Sequence, residues 1–405
     1  MSIDRITIVG ASLAGLSAAE ALREQGYDGA ITVIDAATAL PPDRPPLSKA
    51  VLIGTMEPAD ARQPMASRLN ELDLTMVLGQ QVTSLDPGTR GVGLADGSSV
   101  DGDAVVIATG SSPRHLPLEL SGGKILAGVH VLRTAEDAQA LRDDLDRSPS
   151  RVVVIGAGFI GAEVAASCRS RGLSVTMIET QPLPLQRVLP GPIGEFVADL
   201  HREQGVDVRL GVGVSELRGV DRVEQVVLAD GAIIEASVVV VGIGVVPGTG
   251  WLADTGFEII NGVRSDATCQ VAPGIMAAGD VCEWPNDLFG ELMRVEQWEN
   301  AIEQGAHVGR RLLAGAAGAH MAYRPVPWFW SDQYDRKIQL AGRVAPTDEV
   351  VVVDGSIEER RFVALFRRDD RCVAVLGVNR PRHVVQLRMK MSERLPWADA
   401  LAHFA

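Results

Sequence analysis

The chain has 405 residues, 46% of them apolar and 22% charged, which is enough for two or three domains with well-packed cores. Its net charge of −14 argues against general affinity for nucleic acid or for an anionic membrane surface. The charge is uneven, because residues 320–405 carry 14 Lys and Arg against 11 Asp and Glu, a net charge of +3, and residues 1–319 carry −17. A mildly basic C-terminal segment therefore follows an acidic body.

The cysteines and the first residues bear on the cellular compartment. The four cysteines, Cys168, Cys269, Cys282 and Cys372, lie far apart and form no CxxC pair. They predict buried thiols of a reducing compartment and no metal site. The first residues do not resemble a signal peptide, because an apolar strand pattern begins close to Met1. We therefore expect a cytoplasmic protein with no membrane partner.

The first predicted element, residues 6–35, is a strand, a glycine turn, a helix and a second strand. The turn contains Gly10, Ser12 and Gly15, and the second strand ends on Asp35. This order is typical of dinucleotide binding, because the helix N-terminus offers N–H groups to a pyrophosphate and the acid accepts ribose hydroxyls. The serine departs from the pattern, in which a second glycine is usual at its position.

The residues after this element are predicted to complete one nucleotide-binding unit. The loop DRPPLSK, residues 43–49, is followed by a predicted helical segment and by a strand near residues 75–78. Turn signals at residues 86–88 and 96–97 indicate a hairpin, and AVVIATG, residues 104–110, is predicted as a buried strand.

Residues 151–179 repeat the opening pattern closely. Gly156, Gly158 and Gly161 complete a GxGxxG motif, and Glu179 ends the strand that follows the helix. One such motif is weak evidence, because many glycine turns match it by chance. Two copies in one chain, each between a strand and a helix and each followed by an acid-ending strand, predict two dinucleotide sites.

The remainder of the chain continues both units and then changes character. Residues 205–241 are predicted as strands with a hairpin, and a strand within 269–284 leads to Asp280. A helix is predicted over residues 299–315. Residues 322–405 combine an aromatic stretch with short strands and many arginines, and they are predicted to form a separate α+β domain.

Eight motifs together resemble those of the FAD-dependent pyridine-nucleotide oxidoreductases. They are most similar to the NADH-dependent ferredoxin (redoxin) reductases of bacterial cytochrome P450 and aromatic-ring dioxygenase systems, and the resemblance covers essentially the whole chain. The motifs are GASLAG (10–15), DRPPLSK (43–49), ATG (108–110), LRTAEDA (132–138), VIGAGFIGAEVA (154–165), AAGDV (277–281), EQWENA (296–301) and PWFWSDQY (327–334).

The resemblance implies an α/β fold of the glutathione-reductase type. It has two Rossmann-like dinucleotide-binding domains and a C-terminal α+β domain that contributes to the flavin environment and to the redox-partner face. The expected boundaries give a discontinuous FAD-binding domain from residues 1–110 and 242–320. The NAD-binding domain then covers residues 111–241, and the C-terminal domain covers residues 321–405.

The resemblance also implies the cofactors and the residues that contact them. FAD is the expected resident cofactor, held by the first glycine turn, and NADH is the expected substrate at the second. The implied catalytic pair is Lys49, beside the flavin N5 edge, and its partner Glu163; the lysine would stabilise negative charge on the reduced ring. The residues implied for FAD are Gly10, Ser12, Ala14, Gly15, Asp35, Ala36, Arg44, Lys49, Val82, Gly110, Arg133, Asp280, Trp298 and Trp330, and those for NADH are Gly156, Gly158, Ile160, Gly161 and Glu179.

Several of these residues also have a purely structural interpretation. Lys49 could be a solvated loop lysine, and Arg44 and Arg133 could form surface ion pairs. Asp280 could cap the helix that follows it, since Asp is a favoured N-cap residue. The two tryptophans could be core aromatics. We favour cofactor contact in each case, because these residues lie within the matching motifs.

Glu179 predicts a preference for NADH over NADPH. A carboxylate at this strand end accepts the 2′-hydroxyl of NAD and repels the 2′-phosphate of NADP. The residues that follow it contain only Arg187 as a nearby cation.

The cysteine positions narrow the expected reaction. Disulfide reductases on this scaffold need a redox cysteine pair near the flavin, and peroxidase or oxidase relatives use one cysteine in the first domain. No cysteine precedes Cys168 here. We therefore expect hydride transfer from NADH to FAD, followed by single electrons passed to an outside acceptor.

The implied acceptor is a [2Fe–2S] ferredoxin that serves a P450 or a dioxygenase. A small acidic ferredoxin would be steered by basic residues, although a charge run is usually just a solvated face. Two alternatives stay open: another acceptor, such as rubredoxin or a quinone-like small molecule, and an apoptosis-inducing-factor-like flavoprotein with a mainly binding role. A monomer and a homodimer are both compatible with the sequence. The candidate ferredoxin contacts are Arg310, Arg311, Arg336, Lys337 and Arg343.

Overall fold

The computed structural model describes residues 3–186, 188–189 and 191–405. These residues form two compact units, and each unit is assembled from three stretches of the chain. The first unit contains the described residues up to Pro42, Arg62–Ser112 and Val246–Phe329. The second unit contains Asp43–Ala61, Pro113–Val245 and Trp330–Ala405.

The predicted domain boundaries differ from these units mainly in one stretch, and over shorter ones at residues 111–112, 242–245 and 321–329. Asp43–Ala61 packs within the second unit, whereas the predicted boundaries group it with the first domain. The division into three domains stays a prediction. The α-helices of the described chain are α1 (Leu13–Glu24), α2 (Ala135–Asp146), α3 (Phe159–Ser170), α4 (Pro192–Glu203), α5 (Trp298–Leu313), α6 (Pro381–Met391) and α7 (Trp397–Ala402).

The core of the first unit is a six-stranded sheet built from short β-branched runs. All neighbouring strands pair in parallel except one antiparallel edge strand, Gln270–Ala272. The central strands are buried on both faces, as their continuous apolar sequences predict. In spatial order the strands are Gln270–Ala272, Ile275–Ala277, Ala104–Ile107, Arg5–Val9, Ala30–Asp35 and Thr75–Leu78.

Helices α1 and α5 of the first unit pack at unusually short range. A Cβ on Gly305 would lie 2.2 Å from the carbonyl oxygen of Ala14, and one on Gly309 would lie 2.7 Å from that of Ala18. The helices touch through small residues because any larger side chain at these points would meet backbone.

The second unit contains a five-stranded sheet in which all neighbours pair in parallel. Its arrangement repeats that of the first unit, because the strand before each glycine turn lies between the acid-ending strand and a later buried strand. In spatial order the strands are Asp207–Leu210, Val175–Glu179, Val152–Ile155, Val238–Val241 and Val129–His130.

A small antiparallel sheet precedes the later buried strand in each unit. This shared feature extends the sequence repeat well beyond the glycine turns. The strands are Val82–Leu85, Val92–Leu94 and Ser99–Val100 in the first unit, and Val214–Arg218, Gln225–Leu228 and Ile233–Glu235 in the second. The two parallel sheets and their helices confirm the predicted α/β class.

The C-terminal residues form an antiparallel sheet with α6 and α7, as predicted for an α+β segment. The strands in spatial order are Trp328–Gln333, Arg336–Gly342, Arg371–Val378, Arg361–Arg368 and Glu349–Ser356. The remaining short strands are Ser111–Pro113, Val245–Pro247, Val263–Arg264, Cys282–Asn286 and Glu291–Met293.

One local prediction is wrong, and one alternative interpretation is excluded. The segment after Lys49 forms successive turns and the short 3₁₀ helix Pro58–Asp60 instead of a regular helix. Asp280 does not cap α5, because two strands separate them and Gln297 is the N-cap residue. Asp280 lies instead within the 3₁₀ turn Gly279–Val281.

The cysteines agree with the predicted buried thiols. All four lie within the described chain, and each is a buried free thiol. Burial raises the pKa of the Cys168 and Cys372 thiols to about 12, which keeps both protonated at neutral pH. Within the described ranges, no helix has the length and apolar character that crossing a bilayer requires. The same residues include no group of three or more His, Cys, Asp or Glu side chains placed to hold a metal ion.

Candidate functional site

The first glycine turn joins the strand Arg5–Val9 to α1. Gly10 has a φ of +116°, and a Cβ there would lie 2.2 Å from the carbonyl oxygen of Ala108. A Cβ on Gly15 would lie 1.9 Å from the carbonyl oxygen of Gly10. Both positions therefore require glycine, because any side chain would collide with backbone.

The second glycine turn has nearly the same geometry. Gly156 has a φ of +101°, and a Cβ there would lie 2.3 Å from the carbonyl oxygen of Gly242. A Cβ on Gly161 would lie 2.0 Å from the carbonyl oxygen of Gly156. Ile160, in the first turn of α3, is 45% exposed despite its apolar side chain.

The acid at the end of each second strand braces its glycine turn. The Asp35 carboxylate accepts the backbone N–H of Ala11 at 2.7 Å, and the Glu179 carboxylate accepts that of Ala157 at 2.8 Å. Each carboxylate also accepts the N–H two residues beyond it, at 2.8 and 2.9 Å respectively. Carboxylate oxygens have further lone pairs, so both acids can still accept a ribose hydroxyl. Arg187, the cation noted after Glu179, lies outside the described residues.

The middle position of the turn differs between the copies. The backbone is extended at both residues, with φ −97° and ψ −168° at Ser12 and φ −75° and ψ −177° at Gly158. Neither conformation requires glycine. A Cβ on Gly158 would have the carbonyl oxygen of Gly242 as its nearest contact, at 3.9 Å. The surrounding protein therefore does not require glycine at this middle position.

The other predicted FAD residues of the first unit lie at element ends. Ala36 and Gly110 lie just after parallel strands, at the edge where doubly wound sheets bind ligands, and Val82 begins an antiparallel strand. Ala14 is buried in the first turn of α1, and Trp298 is the half-buried first residue of α5.

Asp280 is held firmly at the end of a parallel strand. Its carboxylate accepts a hydrogen bond from the Ser111 hydroxyl at 2.6 Å, and its carbonyl accepts one from Arg294 at 3.0 Å. The preceding residue, Gly279, has a φ of +77° and donates its N–H to the Gln304 side chain at 2.8 Å. These contacts fix the direction of the carboxylate.

Lys49 and Glu163 form a salt bridge within the second unit, as the resemblance implies. The Nζ and Oε2 atoms are 2.7 Å apart, and Glu163 is only 3% exposed. The same carboxylate accepts the Ser48 hydroxyl at 2.5 Å and the Ser331 hydroxyl at 2.8 Å. Lys49 also donates to the carbonyl of Pro45 at 3.1 Å. Removing the Lys49 charge would leave the buried Glu163 carboxylate without its partner, which is strongly unfavourable.

The remaining predicted residues of the second unit are half-buried. They are Arg44, Arg133 and Trp330. The backbone N–H of Arg133 donates to the Asp137 carboxylate at 2.9 Å, so the capping box of α2 fixes the course of the chain there. The structure thus brings the predicted residues together in two groups, one within each unit.

One predicted surface contact is wrong. Arg311 is only 5% exposed, and its guanidinium donates to Thr268, Gln270 and the carbonyl of Gly315. Buried in this way, it has no free charge to offer a partner. Arg310, one residue earlier on α5, is exposed.

Sequence reasoning missed several side chains that act on the predicted residues. Ser48 and Ser331 lie inside the quoted motifs DRPPLSK and PWFWSDQY, which is a usable signal. Ser111 and Gln304 had no such signal. Gln63 is also new: its amide donates to the carbonyls of residues 11 and 41, at 3.2 and 2.6 Å.

The two turns fit dinucleotides on three structural grounds. Neither α1 nor α3 has a side-chain cap, so the N–H groups of their first turns are available to a phosphate. The space beside Gly158 allows close approach of a ligand. The Oε1 atom of Gln63, beside the first turn, is buried and has no hydrogen-bond partner among the described residues. Residues of the first turn would hold one dinucleotide and residues of the second turn another.

Comparison with known proteins agrees with this geometry. The family described as pyridine nucleotide-disulphide oxidoreductase matches residues 4–305, and the family described as reductase C-terminal matches residues 328–403. Rhodocoxin reductase of Rhodococcus erythropolis is 37% identical over 96% of this chain and 90% of its own. The ferredoxin–NAD(+) reductase component of the anthranilate 1,2-dioxygenase system of Burkholderia cepacia is 38% identical over 95% of this chain and 93% of its own.

A solved structure extends the likeness to three dimensions. The covalent putidaredoxin reductase–putidaredoxin complex matches with a TM-score of 0.91 and 34% identity, over 97% of this chain and 94% of that one. These matches confirm the predicted family, the oxidoreductase class and the use of FAD and NAD(H). The chain therefore belongs to the pyridine nucleotide-disulphide oxidoreductase family, in the group that carries a reductase C-terminal domain.

Proposed function

We propose that this chain transfers a hydride from NADH to FAD and passes single electrons to a [2Fe–2S] ferredoxin, which supplies a cytochrome P450 or a ring-hydroxylating dioxygenase. The observation that carries the proposal is the duplicated glycine turn, one in each unit and each closed by a strand-ending acid. Two such turns suit a chain that keeps one dinucleotide as cofactor and takes a second as substrate. The ferredoxin reductases among its relatives support the choice of acceptor.

The first turn and the residues around it are assigned to FAD. The Asp35 carboxylate would accept adenosine ribose hydroxyls, and the Asp280 carboxylate, held by Ser111, would accept a hydroxyl of the ribityl chain. The residues that complete this assignment are Gly10, Ser12, Ala14, Gly15, Ala36, Val82, Gly110 and Trp298 in the first unit and Arg44, Lys49, Arg133 and Trp330 in the second.

The second turn is assigned to NADH. Gly156, Gly158 and Gly161 leave its backbone open to a pyrophosphate, and Ile160 supplies an exposed apolar contact. The Glu179 carboxylate would accept the 2′-hydroxyl of the adenosine ribose and repel a 2′-phosphate. We therefore assign NADH, rather than NADPH, as the preferred donor.

Lys49 and Glu163 supply the electrostatic part of the reaction. Bound FAD accepts the hydride and releases its electrons one at a time. The Lys49 ammonium offers a fixed positive charge to the negative charge that develops on a reduced ring, and the buried Glu163 carboxylate holds it in place. This role needs no nucleophile or general base on the protein.

A cytoplasmic location, where NADH is available, is part of the proposal. The chain acts as a monomer or a homodimer. Steering of the acidic ferredoxin is assigned to exposed cations such as Arg310 and Lys337 rather than to the buried Arg311. Neutralising Arg310 is expected to weaken the salt dependence of ferredoxin reduction, and unchanged salt dependence would remove it from the assignment.

Steady-state reduction of a [2Fe–2S] ferredoxin and of dichlorophenolindophenol by NADH tests the proposal. We expect both acceptors to be reduced by the FAD-loaded protein. Reduction of the dye without the ferredoxin would overturn the assigned acceptor. Lys49→Gln should slow reduction of both acceptors about tenfold or more, because a charge-stabilising contact is lost. The control Lys124→Gln alters an exposed lysine and should have no effect.

A further inference from the structure

The Glu163 carboxylate is held from two sides within the second unit. Lys49 and Ser48 bind Oε2, and Ser331 binds Oε1 from the C-terminal sheet. Glu163 lies in α3, whereas its three partners lie more than 100 residues away in the sequence. Its orientation therefore depends on distant parts of the chain. The position of the catalytic pair therefore depends on the hydrogen bond from Ser331, which we call the support of Glu163.

That support continues along the strand Trp328–Gln333. Residues two apart on a strand point to the same face, which brings Ser331 and Gln333 together. Both are fully buried, and the Gln333 amide donates to the Ser331 hydroxyl at 3.1 Å. Gln333 is thus the second member of a line of side chains leading away from Glu163.

A buried histidine lies near Gln333. His201, on α4, is fully buried, and its Nδ1 is 2.8 Å from the Tyr334 hydroxyl. Burial lowers the pKa of His201 to about 4, and the nearby Gln333 side chain partly offsets this shift. His201 is therefore neutral at pH 7, with one ring nitrogen donating and the other accepting.

The hydrogen bonds that lead to Glu163 begin at Gln333. The Nε2 of His201 and the Oε1 of Gln333 each have no hydrogen-bond partner in the part of the chain that the structure describes, so His201 does not extend this line. The Gln333 amide donates to the Ser331 hydroxyl, and that hydroxyl donates to Glu163. Both donors therefore point toward the carboxylate.

We propose that Gln333 and Ser331 form a directed hydrogen-bond chain that positions the Glu163 carboxylate against Lys49. The aligned dipoles place partial positive charge toward the carboxylate at each step, and such chains strengthen cooperatively. These are positioning residues, because each acts on the reaction only through Glu163 and Lys49. A primary amide at its start makes the chain a support rather than a route for protons. The effect on catalysis rests on the proposed function.

The test uses the FAD-loaded protein labelled with ¹⁵N at the lysine side chains. The chain has only four lysines, so the Lys49 signal can be assigned with the Lys49→Arg variant. Gln333→Met removes the first donor of the chain at similar volume. Gln339→Met is the matched control, because Gln339 is a buried glutamine of the same sheet that lies outside the chain of bonds.

We expect Gln333→Met to move or broaden the Lys49 signal, although the Ser331 and Glu163 side chains separate the two residues, and Gln339→Met to leave it unchanged. Flavin reduction by NADH should slow about tenfold at unchanged KM, and Ser331→Ala should do the same while Ser331→Thr restores the rate. An unchanged Lys49 signal in both Gln333→Met and Ser331→Ala would overturn the proposal. If the wild type is not reduced by NADH, the proposed function fails, and the Lys49 signal still decides the hydrogen-bond chain.

Discussion

The two glycine turns of this chain are built alike at two positions and differently at one. The first glycine donates its N–H to the acid-ending strand at 2.7 Å in both copies, and the third glycine lies against the carbonyl of the first. The middle residue is Ser12 in one copy and Gly158 in the other, with the same extended backbone. The protein's own backbone therefore requires glycine at the two outer positions. At the middle position, only a bound dinucleotide can require a small residue.

Replacing an outer glycine should lower the free energy of unfolding more than any other substitution considered below. Gly15→Ala and Gly161→Ala each place a Cβ about 2 Å from a carbonyl oxygen, so the backbone must move. We expect each variant to lower the free energy of unfolding by about 3 kcal/mol, measured by denaturant titration. Gly158→Ala should lower the free energy of unfolding by less than about 1 kcal/mol, because the nearest atom to its Cβ is 3.9 Å away. Equal costs at Gly158 and Gly161 would contradict the distinction between the two kinds of position.

Acid should destabilise both units in the same way, through one buried histidine in each. His307 in the first unit and His201 in the second are buried, and burial lowers the pKa of each from 6.5 to about 4. The unfolded chain then binds more protons between these values, so the free energy of unfolding falls as the pH drops from 6.5 to 4. The loss should reach about 3 kcal/mol for each histidine.

Replacing either histidine with glutamine should flatten this pH dependence, whatever it does to stability at neutral pH. The Tyr334 hydroxyl bonds His201, and burial raises the pKa of Tyr334 well above its usual range, so this group does not titrate between pH 4 and 6.5. Stability measured between pH 4 and 7 checks the prediction. An unchanged slope in His201→Gln would show that this histidine is not buried in its neutral form.

Substitutions of the two strand-ending acids should affect different cofactors, NADH in one copy and FAD in the other. Glu179→Gln keeps an oxygen for the Ala157 N–H but removes the negative charge, so the ratio of kcat/KM for NADH over NADPH should fall about 100-fold. Asp35→Asn should weaken FAD retention and leave that ratio unchanged. A wild-type ratio that favours NADPH would contradict the assignment of Glu179.

The smallest expected effect lies at the middle position of the first turn. Ser12→Gly should change the dissociation constant of FAD less than about threefold, because the serine makes no capping bond and needs no strained backbone. Fluorescence of released flavin measures this. Greatly tightened retention would show that the serine obstructs the cofactor.

The glycine turns could be predicted from the sequence because their geometry is local. Gly10 has a positive φ and Gly15 lies against a carbonyl oxygen, so both positions need glycine, and the glycines can be read in the sequence. The predicted helix after Lys49 is wrong, because the N–H groups of Thr55 and Met56 both donate to the carbonyl of Ala50 and close turns there instead. The sequence predicts Arg311 as a surface cation, because the tertiary contacts that bury it leave no local pattern.

The support of Glu163 lay beyond prediction for a different reason. Ser48 is separated from Glu163 by 115 positions and Ser331 by 168, so their hydrogen bonds exist only after folding. The two serines lie inside recognisable motifs, but a motif does not show which atom a hydroxyl group will bond. Gln333 lies in the same motif as Ser331, and only the folded strand shows that its amide bonds the serine.

We propose that the two copies bind different dinucleotides that exchange a hydride. Anaerobic mixing of the FAD-loaded protein with NADH in the presence of a [2Fe–2S] ferredoxin, followed by absorbance, tests this proposal. We expect the flavin to bleach first and the ferredoxin then to be reduced. A flavin that stays oxidised in excess NADH would contradict the proposal.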